Sequence, residues 1–454
     1  MKFKEILKAG GMVVSALFTG NGQTQAKEPA KSTDAKKPNI IFILADDLGY
    51  AEIGCNGSDK YKTPNIDKLA SQGMRFTHAY ANPLSGPSRA VLLSGRYNFR
   101  TGATNQDACS EIFSANEKLI PFYLKDAGYL STSIGKWGQL PLDPSDYAFD
   151  DYLRFFGSGV YWSSAEKKQN FRVNGVDLVL KDNEYMPDLM HQQMVDFLSK
   201  NQNKPFFAYY SLSHVHGEIL KTPDSKPGTK DFYEDNIAYM DKLVGKLRTE
   251  LDRLKLSDNT ILIFFGDNGT ASGHADDATI GGRRLSGQKG SMLEGGSLEP
   301  LIVYWPGVTP KGKVCTDLIS STDFIPTFAE IAGTKLPKDI LLDGQSFNAQ
   351  LHGLKGTPRT SLFVQLANMY WVRSMDWKLN HLGELYDMSK APFEETLVPT
   401  DTKNPAALAA RQTLQAELDR LNPKGGYIDT GDGTGRHANK AQNKLKKTAQ
   451  KEAE

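Results

Sequence analysis

The chain has 454 residues, 39% of them hydrophobic and 24% charged, which is enough for one large core with a smaller partner and unlike a disordered or fibrous composition. Its formal net charge is +1. No global field therefore draws it to nucleic acid or to an anionic membrane surface, and any anionic ligand must be held by local groups.

In chain order, Lys2, Lys4 and Lys8 precede a short apolar stretch from Ala9 to Phe18 and small residues near Ala26. This is the pattern of a secretory signal peptide over 1–26. An amphipathic N-terminal helix is the competing reading, weakened by Gly10, Gly11 and Gly20. No later run approaches the roughly 18 apolar residues of a membrane span, so the expectation is an exported protein, periplasmic or secreted, without stable membrane insertion. A Lys/Pro/Ala-rich linker covers 27–37. The continuous apolar run 39–45 then ends in Asp46 and Asp47. A strand buried on both faces reads this way, and its carboxyl end is where open α/β sheets bind ligands.

Further strands are predicted over 129–134, 206–211, 260–265 and 301–305, with helices over 65–72, 110–126, 186–200, 232–254 and 322–332. The alternation implies an α/β fold, a large mainly parallel sheet sandwiched by helices, across 38–355. From 356 the pattern shortens. Strands over 361–366, 370–375 and 377–381 with a helix over 405–421 predict a smaller C-terminal antiparallel-sheet subdomain, 356–427. The polar stretch 428–454 lacks apolar surface and reads as a disordered tail. Three cysteines, Cys55, Cys109 and Cys315, match no zinc or iron–sulfur spacing. A Cys55–Cys109 bridge is open in an oxidising compartment.

Four clusters carry chemistry. Asp46 and Asp47 form an adjacent carboxylate pair, costly unless a hard cation sits between them. Asp267 and Asn268 follow a second strand and add a carboxylate and an amide oxygen, so two strand ends offer four oxygen donors. Each cluster alone is also an ordinary acidic pair or Asn-Gly turn. The third cluster runs from Ser85 to Gly95 as SGPSRAVLLSG. It opens on a hydroxyl nucleophile, with Pro87 suited to a first helical turn and Arg89 one turn further on to hold an anion. The fourth, a scatter of basic residues, is singled out only by the resemblance given next: Lys136 in Gly-Lys-Trp, His216 in the loop after 206–211, and Lys289 in 287–296.

The Ser85 segment resembles the signature of the sulfatase family: Ser or Cys, any residue, Pro, Ser, Arg, an apolar stretch, then Gly. Gly-Lys-Trp at 135–137, the His loop at 211–223, the Lys loop at 287–296, Trp-Pro-Gly at 305–307 and Leu-Tyr-Asp at 385–387 fall in that family's order. The resemblance spans about 38–421 and implies the alkaline-phosphatase-like fold and sulfate ester hydrolysis. It also implies a formylglycine made from Ser85 by a formylglycine-generating maturation enzyme, of the anaerobic type because the residue is serine. Residue by residue it implies that Asp46, Asp47, Asp267, Asn268 and modified Ser85 bind Ca2+, while Arg89, Lys136, His216 and Lys289 surround the sulfate. An exported member is expected to act on a sulfated carbohydrate, with Trp162, His274, Arg283 and Arg284 as contacts in the outer loops.

One position departs from the family. Where a His commonly follows Gly-Lys-Trp as the base for sulfate release, this chain has Gly138 and then Gln139. His214, a water on Gln139, or Asp46 or Asp47 are the substitutes to weigh, and a weakly active member is a further reading. A phosphate or phosphonate ester hydrolase and a non-catalytic glycan-binding protein of the same fold are the competing functions.

Overall fold

Alternate residues of β1 (Asn39–Ala45) serve two different cores. Ile41, Ile43 and Ala45 join one apolar cluster and Ile40, Phe42 and Leu44 another, which is what an uninterrupted apolar strand requires. In a computed structural model, which describes residues 36–437, β1 lies inside a ten-stranded sheet. Its other strands are β2 (Met74–Tyr80), β3 (Leu130–Lys136), β4 (Asp151–Phe155), β5 (Asn170–Val173), β6 (Val176–Val179), β7 (Phe206–Ser211) and β8 (Thr260–Gly266). After a two-stranded ribbon of β9 (Thr279–Ile280) and β10 (Arg283–Arg284) come β11 (Leu298–Tyr304) and β12 (Lys313–Ser320).

The lateral order is β12-β2-β11-β8-β1-β7-β3-β4-β5-β6. The five strands from β8 to β4 are parallel, β11 is antiparallel to both its neighbours, and β5 and β6 close the far edge antiparallel. Helices cover both faces. Ile66, Met190, Met194, Ile237 and Met240 pack on one side, while Leu92, Leu93, Ile120, Phe324 and Phe328 pack on the other. The architecture is the expected α/β one, a large mainly parallel sheet between helices.

The C-terminal strands β13 (Leu362–Leu366), β14 (Met369–Arg373), β15 (Trp377–Asn380), β16 (Leu385–Asp387) and β17 (Thr396–Leu397) form a separate antiparallel sheet in sequence order. The helix Pro405–Leu421 starts with Pro405 in its first turn and the Asn404 side chain accepting from Ala406 N, a capped start. It lays Leu414, Leu418 and Leu421 on Val372, Leu379 and Leu385.

Two expectations change, and the open question of a cysteine bridge is answered. The helix predicted over 110–126 is two short ones, Ala108–Glu111 and Ile120–Lys125. Pro121 has no N–H to give a continuous helix and sits instead in the second one's first turn. The three cysteines are unpaired, and Cys109 donates its thiol to Asn105 O at 3.1 Å. Residues 428–437 are held rather than loose. Asp429 is buried and accepts from Thr104 Oγ1 at 2.8 Å, so any disordered tail starts no earlier than 438. The signal peptide, most of the linker and the rest of the tail lie outside the described residues. Among those described, no helix is long and apolar enough to cross a membrane.

Candidate active site

Four adjacent parallel strands bring their carboxyl ends to one edge of the sheet. Ala45 of β1 pairs with Gly266 of β8, Leu44 of β1 with Ser211 of β7, and Gly135 of β3 with Ser211. The residues that follow, Asp46-Asp47, Asp267-Asn268 and the His loop after β7, therefore start level, and Lys136 is the last residue of β3 itself. Asp47 takes φ +62°, and its backbone N–H donates to Asp267 Oδ1 at 3.1 Å. Carboxylate oxygens of Asp46, Asp47 and Asp267, all buried, lie within 4.8 Å of one another.

Ser85 opens the helix Ser85–Ser94, every residue of which is buried. A helix buried all round needs no polar face, which accounts for the run Ala-Val-Leu-Leu. Its end is closed by Gly95 at φ +67°. Ser85 Oγ donates to Asn268 Oδ1 at 2.7 Å and lies 3.1 Å from Asp46 Oδ1. Asn268 Nδ2 donates to Asp47 Oδ1 at 2.9 Å. Gly86 N, one of the free donors of the first turn, reaches Gln106 Oε1 at 2.6 Å.

Arg89 is fully buried. Its Nε and Nη2 both donate to Asp267 Oδ2, at 2.9 and 2.7 Å, and Nη1 reaches Lys136 O, Tyr209 OH and Ser211 Oγ. Lys136 Nζ bridges both oxygens of Asp46 at 2.8 and 2.7 Å. Lys289 Nζ donates to Asp47 Oδ2 at 2.5 Å, and His216 Nε2 stands 3.8 Å from the same oxygen. Burial alone would raise the Asp46 carboxyl, but the Lys136 ammonium, with His216 and Arg89, holds it below the usual range. Burial pushes Lys136 and His216 down, with Asp46 opposing it in both. The nine residues singled out from sequence thus form one connected network.

His214 does not enter it. β7 ends at Ser211, so the period-two rule that would give His214 and His216 a common face does not reach them. The His214 ring lies among Tyr161, Tyr185 and Tyr239, its Nε2 is 3.0 Å from Tyr185 OH, and burial drops its pKa to about 3. The outer-loop candidates are engaged locally: Trp162 Nε1 donates to Lys221 O, His274 stacks on Tyr233, Arg283 lies over Phe393, and Arg284 pairs with Asp276.

Several participants were missed. Tyr209 and Ser211 clamp Arg89 from one face of β7, and their i, i+2 spacing on a predicted strand was the available signal. Tyr161 OH donates to Ser213 O and His216 O, both at 3.0 Å, steadying the His loop. Glu52 accepts from Gly49 N, Thr270 Oγ1 and Tyr233 OH, and burial pushes it up to about 7. Glu299 is buried with neither oxygen bonded and is raised well above the carboxylate range by that burial. Nothing in the sequence distinguishes these acids from surface ones.

The family described as Sulfatase matches residues 38–334, and N-sulphoglucosamine sulphohydrolase, C-terminal, matches 287–424. N-acetylgalactosamine-6-sulfatase of Canis lupus familiaris is 33% identical over 392 residues, 78% of this chain and 72% of the relative. Arylsulfatase G of Rattus norvegicus is 30% identical over 407 residues, 78% and 75% of the two chains. The solved structure of Ps i-CgsB in complex with k-i-k-neocarrahexaose is 28% identical and has a TM-score of 0.75 over 88% of this chain and 97% of that one. The chain belongs to the sulfatase family and is a type I sulfatase of the alkaline-phosphatase-like superfamily, a sulfuric ester hydrolase.

Proposed function

We propose that this sulfatase hydrolyses a sulfate ester on a carbohydrate, using a formylglycine made from Ser85 and one calcium ion. The observation that carries the reading is the cradle at the strand ends: an uninterrupted set of hard oxygen donors, Asp46, Asp47, Asp267, Asn268 and Ser85, ringed by Arg89, Lys136 and Lys289. The carbohydrate part rests on likeness to an N-acetylgalactosamine-6-sulfatase and to a protein crystallised with neocarrahexaose.

The donor set suits calcium by chemistry, since hard cations take carboxylate, amide and hydroxyl oxygens. The charges agree: three carboxylates face three cations, so a divalent ion leaves the pocket at about +2, matched to an anionic ester. When in place, calcium supplies Lewis-acid charge and the formylglycine a hydrated aldehyde whose hydroxyl is the nucleophile. Asp46, Asp47, Asp267, Asn268 and Ser85 would hold the calcium, and the donors of Arg89, Lys136 and Lys289 around them would neutralise the sulfate oxygens, a preorganised electrostatic role. The His216 side chain, about one-quarter exposed, gains a proton more readily once the anionic ester is beside it and passes it from Nε2 to the departing alcohol. For release, Gln139 comes directly after Gly138, the position where the usual base is missing. Its Oε1 is buried without a partner and lies close to Gly86, next to the nucleophile, placed to hold a water.

Ser85 is only 1% exposed, so its oxidation must act before this helix is buried, on a chain already bearing the leader read at 1–26. The test is mass spectrometry of the Ser85 peptide from the native host, alongside hydrolysis of 4-nitrophenyl sulfate. A residue lighter by two hydrogens in active protein is expected. Fully active enzyme with plain serine would overturn the mechanism.

A further inference from the structure

The segment 428–437 plays no part in the reaction above, yet it is built into the same corner of the fold. Asp429 accepts from Thr104 Oγ1, Asn105 Nδ2 and Gly431 N, and Asn368 brackets its backbone, donating to Asp429 O at 2.8 Å and accepting from Asp429 N at 2.9 Å. Gln106 N donates to Gly435 O at 3.0 Å, while the Gln106 side chain accepts from Gly86 N beside the nucleophile. Asp432 accepts from Thr434 N and Oγ1, and its own N–H donates to His437 O. Gly435, at φ +74°, presses on Leu366, where a Cβ would come within 2.4 Å of Cδ1. Both acids of this turn are spent holding its shape.

What the turn presents is Arg436. Its Nη2 lies 3.8 Å from where a Cβ on Gly290 would stand, with Leu84 Cδ2 at 3.9 Å from the same point. Gly290 follows Lys289 in the chain, so the guanidinium lies against the loop that carries a cradle cation, on the side where Leu84, the residue before Ser85, also approaches Gly290. It is exposed, and no carboxylate pairs with it among the described residues. An unpaired guanidinium on a held turn, against the loop of Lys289, adds like charge near the site, an arrangement that an anionic ligand turns to advantage. The cradle lies deep, with Ser85 buried. Arg436, by contrast, is exposed.

We propose that Arg436 is a specificity-determining residue whose guanidinium binds a second anionic group, sulfate or carboxylate, on the sugar unit next to the one losing its sulfate. This rests on the carbohydrate reading above. Wild type, Arg436→Gln and Arg436→Lys would be compared on four substrates: 4-nitrophenyl sulfate, N-acetylgalactosamine 6-sulfate, its disaccharide with a hexuronate, and neocarrahexaose. Arg436→Gln should raise KM about tenfold, the worth of one charge-assisted contact, on the hexuronate disaccharide, neocarrahexaose or both. It should leave kcat and both small substrates nearly unchanged, and Arg436→Lys should recover part of the loss. The larger substrate that suffers identifies carboxylate or sulfate as the partner. Equal losses on all four substrates, or none on the larger two, would overturn the proposal. Should wild type hydrolyse 4-nitrophenyl sulfate but no carbohydrate, the carbohydrate reading fails separately. Arg436 is then judged by inhibition of that hydrolysis: a selective loss of inhibition by dextran sulfate over glucose 6-sulfate in Arg436→Gln supports an anion site, and unchanged inhibition removes it.

Discussion

Ser85 has one hydroxyl proton and two acceptors, Asn268 and Asp46, and the same economy runs through the site. Asp267 is shared between the backbone of Asp47 and the guanidinium of Arg89. Asp267→Asn keeps the volume but removes the charge, leaving the buried Arg89 with only the more distant Asp46, 3.7 Å away, as an ionic partner. The expected cost is about 3–5 kcal/mol of stability, with a loss of about a hundredfold or more in kcat. Metal analysis after gel filtration should show calcium falling from about one per chain. Retention of calcium and activity would show that the ion sits elsewhere. Glu52 makes a pH prediction. Burial raises its carboxyl from 4.5 to about 7, so between these values the folded chain holds a proton the unfolded chain has lost. Stability must then fall as pH rises from about 4.5 to about 7. In calcium-free protein, melting temperatures of wild type across that window should decline more steeply than those of Glu52→Gln. Parallel profiles would show that Glu52 titrates normally.

At the scale of elements, β1, β8, β7 and β3 deliver their last residues to one edge, and the turns that leave them set the aim of each side chain. The turn after β3 matters most because it carries the departure from the family. Gly138 has φ +80°, and a Cβ there would stand 3.2 Å from Arg89 Cδ. Gly138→His therefore strains the backbone by about 1–3 kcal/mol and crowds the arginine that holds Asp267. Read from the sequence alone, this substitution restores a missing base. Read on the fold, it should lower both melting temperature and kcat, whereas Gln139→Ala should slow turnover without unfolding. Single-turnover and steady-state assays on the two variants separate these outcomes, and a faster Gly138→His enzyme would show that the turn relaxes.

Across the whole molecule, the cradle's charges balance without metal, since Asp46 pairs with Lys136, Asp47 with Lys289 and Asp267 with Arg89. Chelation should abolish activity while leaving the far-ultraviolet circular dichroism native, with a melting temperature lower by no more than about 10 °C, the linkage expected for ion at a hundredfold excess over Kd. Global unfolding on chelation would make calcium a structural requirement instead. The sequence by itself determined the parallel core, because an unbroken apolar run such as 39–45 has no polar face to show to water. It determined the identity of the cradle, because Asp46-Asp47, Ser85–Arg89 and Asp267-Asn268 each sit in a local pattern with its own chemistry. The family resemblance assigned His216 to the site, but tertiary structure alone decided that His214 is no substitute base, because its ring is packed among Tyr161, Tyr185 and Tyr239. It also decided that Glu52 and Glu299 are buried acids, that Tyr209 and Ser211 clamp Arg89, and that a Gly- and Asp-rich tail segment brings Arg436 beside Gly290. These depend on contacts between residues far apart in the chain; spacing put Tyr209 and Ser211 on one face of a strand, but nothing local recorded what that face meets.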